Sequence, residues 1–145
     1  MRRWLRSHLK SMSKKCSRKG LYEYLAFEYS CISSGAEVLS IGAGGKVNEL
    51  LESYAKKNNF HFVTFDIDES RKPNIIGDLC DYDFGESKYD VVVMSEVLEH
   101  LYAPHLGIKS VYNILKPKGK LILTTPFILP LHDRPYDYSG LQNTD

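Results

Sequence analysis

Residues Glu37–Lys46 read EVLSIGAGGK, and this stretch decides the fold. Val38, Leu39 and Ile41 make a compact apolar run, glycines follow at Gly42, Gly44 and Gly45, and Val47, Leu50 and Leu51 then fall on one face of a helical pattern. A strand, a tight glycine turn and a helix start, in that order, open a nucleotide-type α/β domain. Glycine suits the turn because the backbone must bend sharply, often at positive φ, and because a ligand needs room where a side chain would stand.

Upstream, Leu21, Tyr24, Leu25 and Tyr29 recur at helical spacing, which predicts a helix over 21–31 closed by Ser33, Ser34 and Gly35. Gly20 is expected to separate it from a basic head. Downstream, a helix is predicted from Lys46 to Lys57 and ends at Asn58–Asn59. HFVTFD makes a second strand ending at Asp66, and NIIGD a short third strand that starts after Pro73 and ends near Asp78. LCDYDFGESK reads as a loop or short helical turn, and YDVVVMSE as a fourth strand, apolar enough for the centre of a parallel sheet. Leu106, Ile108, Val111, Ile114 and Leu115 mark a helix from Pro104; Pro117 and Gly119 are expected to stop it and turn the chain into a fifth strand, KLILTTPF. The last stretch has no sustained period and reads as loop. Apolar strands alternating with amphipathic helices predict an α/β fold, a mainly parallel sheet of about five strands with helices on both faces. Ligands of such sheets bind beyond the strands' C-terminal ends, which places Gly42–Gly45, Asp66, Asp78 and Ser95–Glu96 on one rim.

The chain has 145 residues, enough for one small domain with one core. It has no long apolar run and no secretory leader pattern, so neither a membrane span nor secretion is expected, and a cytoplasmic location is. Cys16, Cys31 and Cys80 are odd in number and far apart, with no spacing that suggests zinc; reduced thiols and no metal are expected. Residues 1–20 carry eight Lys or Arg and no acid, whereas residues 21–145 carry 11 bases against 18 acids, a net of −7. The basic head, with Trp4, Leu5, Leu9 and Met12, is expected to be a solvated terminal helix or a weak contact for anionic membranes. The acidic remainder argues against nucleic acid as a partner of the folded domain.

The glycine loop narrows the ligand. A dinucleotide fingerprint needs a third glycine where this chain has Val47, and no GxxxxGK[ST] phosphate loop is present. Asp66 lies 22 residues after Gly44, at the end of the next strand, where a carboxylate can accept two hydrogen bonds from a ribose diol. Asp78 could accept from an exocyclic amine while the Leu79 backbone reads a ring edge; Gly-Asp is also plain turn chemistry. Glu96 and His100, four apart, share a face if the turn is helical; alternatively Glu96 caps a helix and His100 packs at its start.

IGAGG, TFDID, IIGDL, YDVVVMSEVLEHL and ILKPKGKLILTTPF, in this order over residues 20–138, resemble the class I S-adenosylmethionine-dependent methyltransferases. PLHDRPYDY is similar to a branch of small bacterial members found with cell-surface polysaccharide genes. The resemblance implies a Rossmann-like methyltransferase fold over residues 21–145 with S-adenosylmethionine as cofactor. It implies that Gly42, Gly44 and Gly45 pass close to the methionine and ribose, that Asp66 holds the ribose hydroxyls and that Ile67 lies on the adenine face. Asp78 and Leu79 would read the adenine edge, and Ser95 and Glu96 would lie beside the methionine portion. His132, with Asp133 beside it, is the candidate base or acceptor-orienting group, and the acceptor is expected to be a small molecule or saccharide. A non-catalytic binding or assembly module of the same fold is the alternative.

Two departures from the family pattern stand out. The family usually carries an acid two residues before the first loop glycine, and this chain has Ser40. The family sheet ends in a further C-terminal strand pair, which this chain is expected to lack, leaving the fifth strand as an apolar edge available to a second copy.

Overall fold

The computed structural model describes residues 18–126. Helix α1 occupies residues 18–30, so it already runs through Gly20, which does not separate it from the basic residues before it. Then come β1 (Glu37–Ile41), α2 (Gly45–Asn58), β2 (His61–Asp66), β3 (Ile75–Ile76), β4 (Tyr89–Ser95), α3 (Pro104–Ile114) and β5 (Leu115–Thr124). Short 3-10 turns at Glu69–Arg71 and Leu98–His100 follow β2 and β4.

The strands form one sheet in the order β3-β2-β1-β4-β5, and every pairing is parallel. Strand residues alternate between two cores, as the two-residue period of a strand requires. Val38, Val91, Val93 and Ile122 face α1 and α2, meeting Leu25, Tyr29, Leu51 and Ala55. Leu39, Ile41, Val92 and Met94 face the other way, onto Val111 and Ile114 of α3 and onto Leu79 and Phe84. With helices on both faces of a parallel sheet, this is a Rossmann-like α/β architecture.

Three boundaries differ from the expectation, each for a local reason. The third strand is only two residues long and Asp78 lies beyond it, because Asp78 organises its own turn. Its side chain accepts from Cys80 N at 2.9 Å and its carbonyl accepts from Tyr82 N at 2.8 Å. Pro117 and Gly119 do not turn the chain before a fifth strand. Pairing to β4 starts at Leu115, opposite Tyr89, and resumes at Lys120, opposite Val91, so residues 116–119 form a bulge. Among the described strands β5 is outermost, where a bulge and a proline lacking an N–H are tolerated. Glu96 and His100 share no helical face, and Glu96 caps no helix. Glu96 has φ +56° and its N–H still donates to Thr124 O at 2.9 Å, so helical geometry starts only after Val97 and ends at His100.

Candidate functional site

Because β1, β2 and β4 run parallel, their C-terminal ends bring the glycine loop, Asp66 and Ser95–Glu96 to one rim; Asp78 joins them two residues past β3. The loop is held tightly. Gly42 N donates to Phe65 O at 2.8 Å, fixing β1's exit to β2. Gly42 has φ +91°, and a methyl group there would come 2.9 Å from Val97 Cγ2, so this peptide needs glycine both for its conformation and for its closeness to the β4 loop. At Gly44 and Gly45 an added Cβ would meet nothing within 4 Å, so open space lies above these two backbone units.

Asp66 is buried, 8% exposed. One carboxylate oxygen accepts from Ala43 N at 2.7 Å and the other from Asp68 N at 2.9 Å. Each oxygen offers two lone pairs, so both keep acceptor capacity. Arg71, on the 3-10 turn, approaches Asp66 at 3.7 Å and Asp68 at 3.4 Å. Hydrogen bonds from Ser70, ahead of the charge of Arg71, hold the Asp68 carboxyl below its ordinary range. Ile67 is 68% exposed, and Ile76 and Tyr102 are also exposed. Leu79 is buried in the α3-side core. Burial raises the neighbouring Cys80 thiol, whose Sγ lies 3.6 Å from Ala103 O.

At the β4–β5 end, Ser95 Oγ and Thr124 Oγ1 are 2.7 Å apart, and Thr124 Oγ1 donates to Glu96 Oε1 at 3.0 Å. Glu99 is 3% exposed, with Thr125 Oγ1 at 3.5 Å and His100 Nε2 at 3.8 Å. His132 and Asp133 lie outside the described residues.

Four contributors escape a reading of the sequence: Asn48, Val97, Thr124 and Arg71. Asn48 alone left a trace, a carboxamide beside Val47 and Leu51 on the apolar side of α2. In the fold it is buried, accepts from Ser40 Oγ at 2.6 Å and donates to Gly42 O at 2.9 Å. The other three are recruited from separate elements, which no local pattern announces.

A family model described as "Methyltransferase domain" matches residues 5–143. The chain belongs to this family of methyltransferase domains. Probable polyketide synthase 29 of Dictyostelium discoideum is 31% identical over 81 residues, which is 56% of this methyltransferase-family chain and 2% of the synthase. A putative S-adenosyl-L-methionine-dependent methyltransferase from Methanococcus maripaludis superposes with a TM-score of 0.62 at 16% identity, covering 75% of this chain and 57% of that one. A putative sarcosine dimethylglycine methyltransferase from Galdieria sulphuraria gives 0.60 at 19%, over 71% and 44%. The chain thus spans about half the length of these two solved relatives, and identities this low bear on the fold alone. Among the described residues no helix is long and apolar enough to cross a membrane.

Proposed function

We propose that the rim binds S-adenosylmethionine and that the chain directs its methyl group to a hydroxyl of a small molecule or saccharide. The observation that carries this reading is Asp66. A carboxylate ends β2, buried but with spare lone pairs, 2.7 Å from the main chain of a glycine loop with open space above it. That donor and acceptor set fits the cofactor. Asp66 accepts from a ribose diol, and the bare backbone at Gly42, Gly44 and Gly45 admits the methionine portion. Ile67 offers an apolar surface to the adenine, and Asp78 and the Leu79 main chain read its edge. Ser95 and Glu96, fixed by Thr124, line the methionine side. The cofactor supplies an electrophilic methyl on a positively charged sulfur whose departure needs no proton, so positioning by the protein can carry most of the rate. A hydroxyl acceptor must lose its proton, and His132 with Asp133 is the pair we assign to that task.

The alternative, a cofactor-binding module without transfer, draws on Ser40 standing where the family usually has an acid. We also propose that two copies associate along β5, the outermost described strand; a monomer in sedimentation at high concentration overturns this. Calorimetric titration with S-adenosylmethionine and its demethylated product tests the main reading. Micromolar binding, about −8 kcal/mol, is expected for the wild type and none for a folded Asp66→Ala or Asp66→Asn variant. A folded wild type that binds neither overturns it. Binding without transfer of labelled methyl to any hydroxyl acceptor supports the module.

A further inference from the structure

We propose that Asn48, backed by Ser40, positions the glycine loop for the cofactor. This rests on the reading of the rim as a cofactor site. Ser40 is 1% and Asn48 8% exposed, so neither polar group can be satisfied by bulk water. They satisfy each other: Ser40 Oγ donates to Asn48 Oδ1 at 2.6 Å, and Asn48 Nδ2 donates to Gly42 O at 2.9 Å. This orientation of the carboxamide follows from chemistry. The Gly42 carbonyl only accepts, so the amide nitrogen must face it, and the Ser40 hydroxyl then donates to the amide oxygen.

The Gly42 peptide units are therefore clamped from two elements. Phe65 of β2 takes the N–H at 2.8 Å, and Asn48 of α2 holds the C=O. The serine–asparagine pair fixes the loop directly and leaves no charge buried beneath it. Asn48 touches neither cofactor nor acceptor; it is a positioning residue acting through Gly42.

The test is calorimetric titration of S-adenosylmethionine into folded variants, with thermal unfolding as the check on folding. Ser40→Ala keeps the Asn48–Gly42 bond and is expected to bind within about threefold of the wild type, whereas Asn48→Ala binds about tenfold more weakly. Asn48→Asp is isosteric, still accepts from Ser40 and lacks the donor to Gly42, so it decides the matter if the alanine variant does not fold. It is expected to bind weakly near pH 8 and to recover towards the wild type, measured in parallel, as the pH falls to 5, because burial at this site and the facing Gly42 carbonyl raise its carboxyl above the ordinary range and the protonated form regains an O–H donor. Mere packing would show no such recovery. A folded Asn48→Asp protein that binds like the wild type near pH 8, or stays weak near pH 5, overturns this inference alone. A wild type that does not bind overturns the cofactor reading and this inference with it.

Discussion

At the C-terminal ends of β1, β2 and β4, polar groups are buried and tied to the main chain: Asp66 to Ala43 and Asp68, Asn48 to Gly42. At the opposite end of the sheet, charges meet nearer to solvent. Lys116 reaches Asp90 at 2.8 Å with both side chains more than a third exposed, and Lys120, half exposed, pairs with the less exposed Glu28. Glu28, Asp90 and Lys120 border a cavity of about 370 Å³ with Cys31 and Ser33 on its wall. The contrast has an energetic reading. A buried carboxylate accepting main-chain bonds fixes a geometry, because breaking it leaves unpaired donors; an exposed ion pair loses most of its attraction to water and salt. Breaking the rim's bonds is therefore expected to cost more than breaking the Lys116–Asp90 pair at the far end.

The strongest way to break this comparison is Asp66→Ala, which leaves the Ala43 and Asp68 N–H groups without their acceptor. A loss of about 2–3 kcal/mol is expected in urea unfolding. A cost near that of a surface mutation would mean that the rim is no more rigid than the far end. Next comes Gly42→Ala, expected to cost about 2 kcal/mol through backbone strain and the Val97 contact. Gly44→Ala, strained at φ +89° but meeting nothing, should cost about 1 kcal/mol; equal losses would show that the contact is harmless.

At the far end Asp90→Asn should cost at most about 1 kcal/mol near neutral pH. The hydrogen bond from Lys116, and then that from Glu37 N, hold the Asp90 carboxyl below its ordinary range. A carboxyl lowered by folding contributes stability above its unfolded pKa, about 4, and loses it as the pH falls through the folded value. Wild type and Asp90→Asn should therefore converge in acid, and a gap that persists there would count against the ion pair as the source. The smallest effect is expected at Tyr29 of α1, which is fully buried with a hydroxyl that has no hydrogen-bond partner among the described residues. Burial pushes that hydroxyl's pKa far up. Tyr29→Phe should leave stability unchanged or raise it by up to about 1 kcal/mol; a clear loss would reveal a partner for the hydroxyl.

Much of the fold was legible because its signals are local. The apolar runs Val38–Ile41 and Val91–Met94, the helical spacing around Val111, and Asn59 in the left-handed conformation closing α2 are written in neighbouring residues. The misreadings arose where a distant partner overrode a local cue. Pro117 and Gly119 look like a helix stop followed by a turn, yet β4 draws the chain into pairing at Leu115. Glu96 and His100 have helical spacing, yet Thr124 of β5 holds Glu96 in a left-handed conformation.

The sequence by itself determined the strand–glycine–helix opening, the order of the motifs, the family and the carboxylates Asp66 and Asp78 on the rim, because each depends on residue type and on spacing over a few residues. Tertiary structure alone decided what Ser40 means. In sequence it is a missing acid; in the fold it lies 2.6 Å from Asn48, which in turn holds Gly42. That relation joins a strand to the buried face of the next helix, and a hydrogen bond depends on distance and angle in space, which no residue-by-residue pattern records.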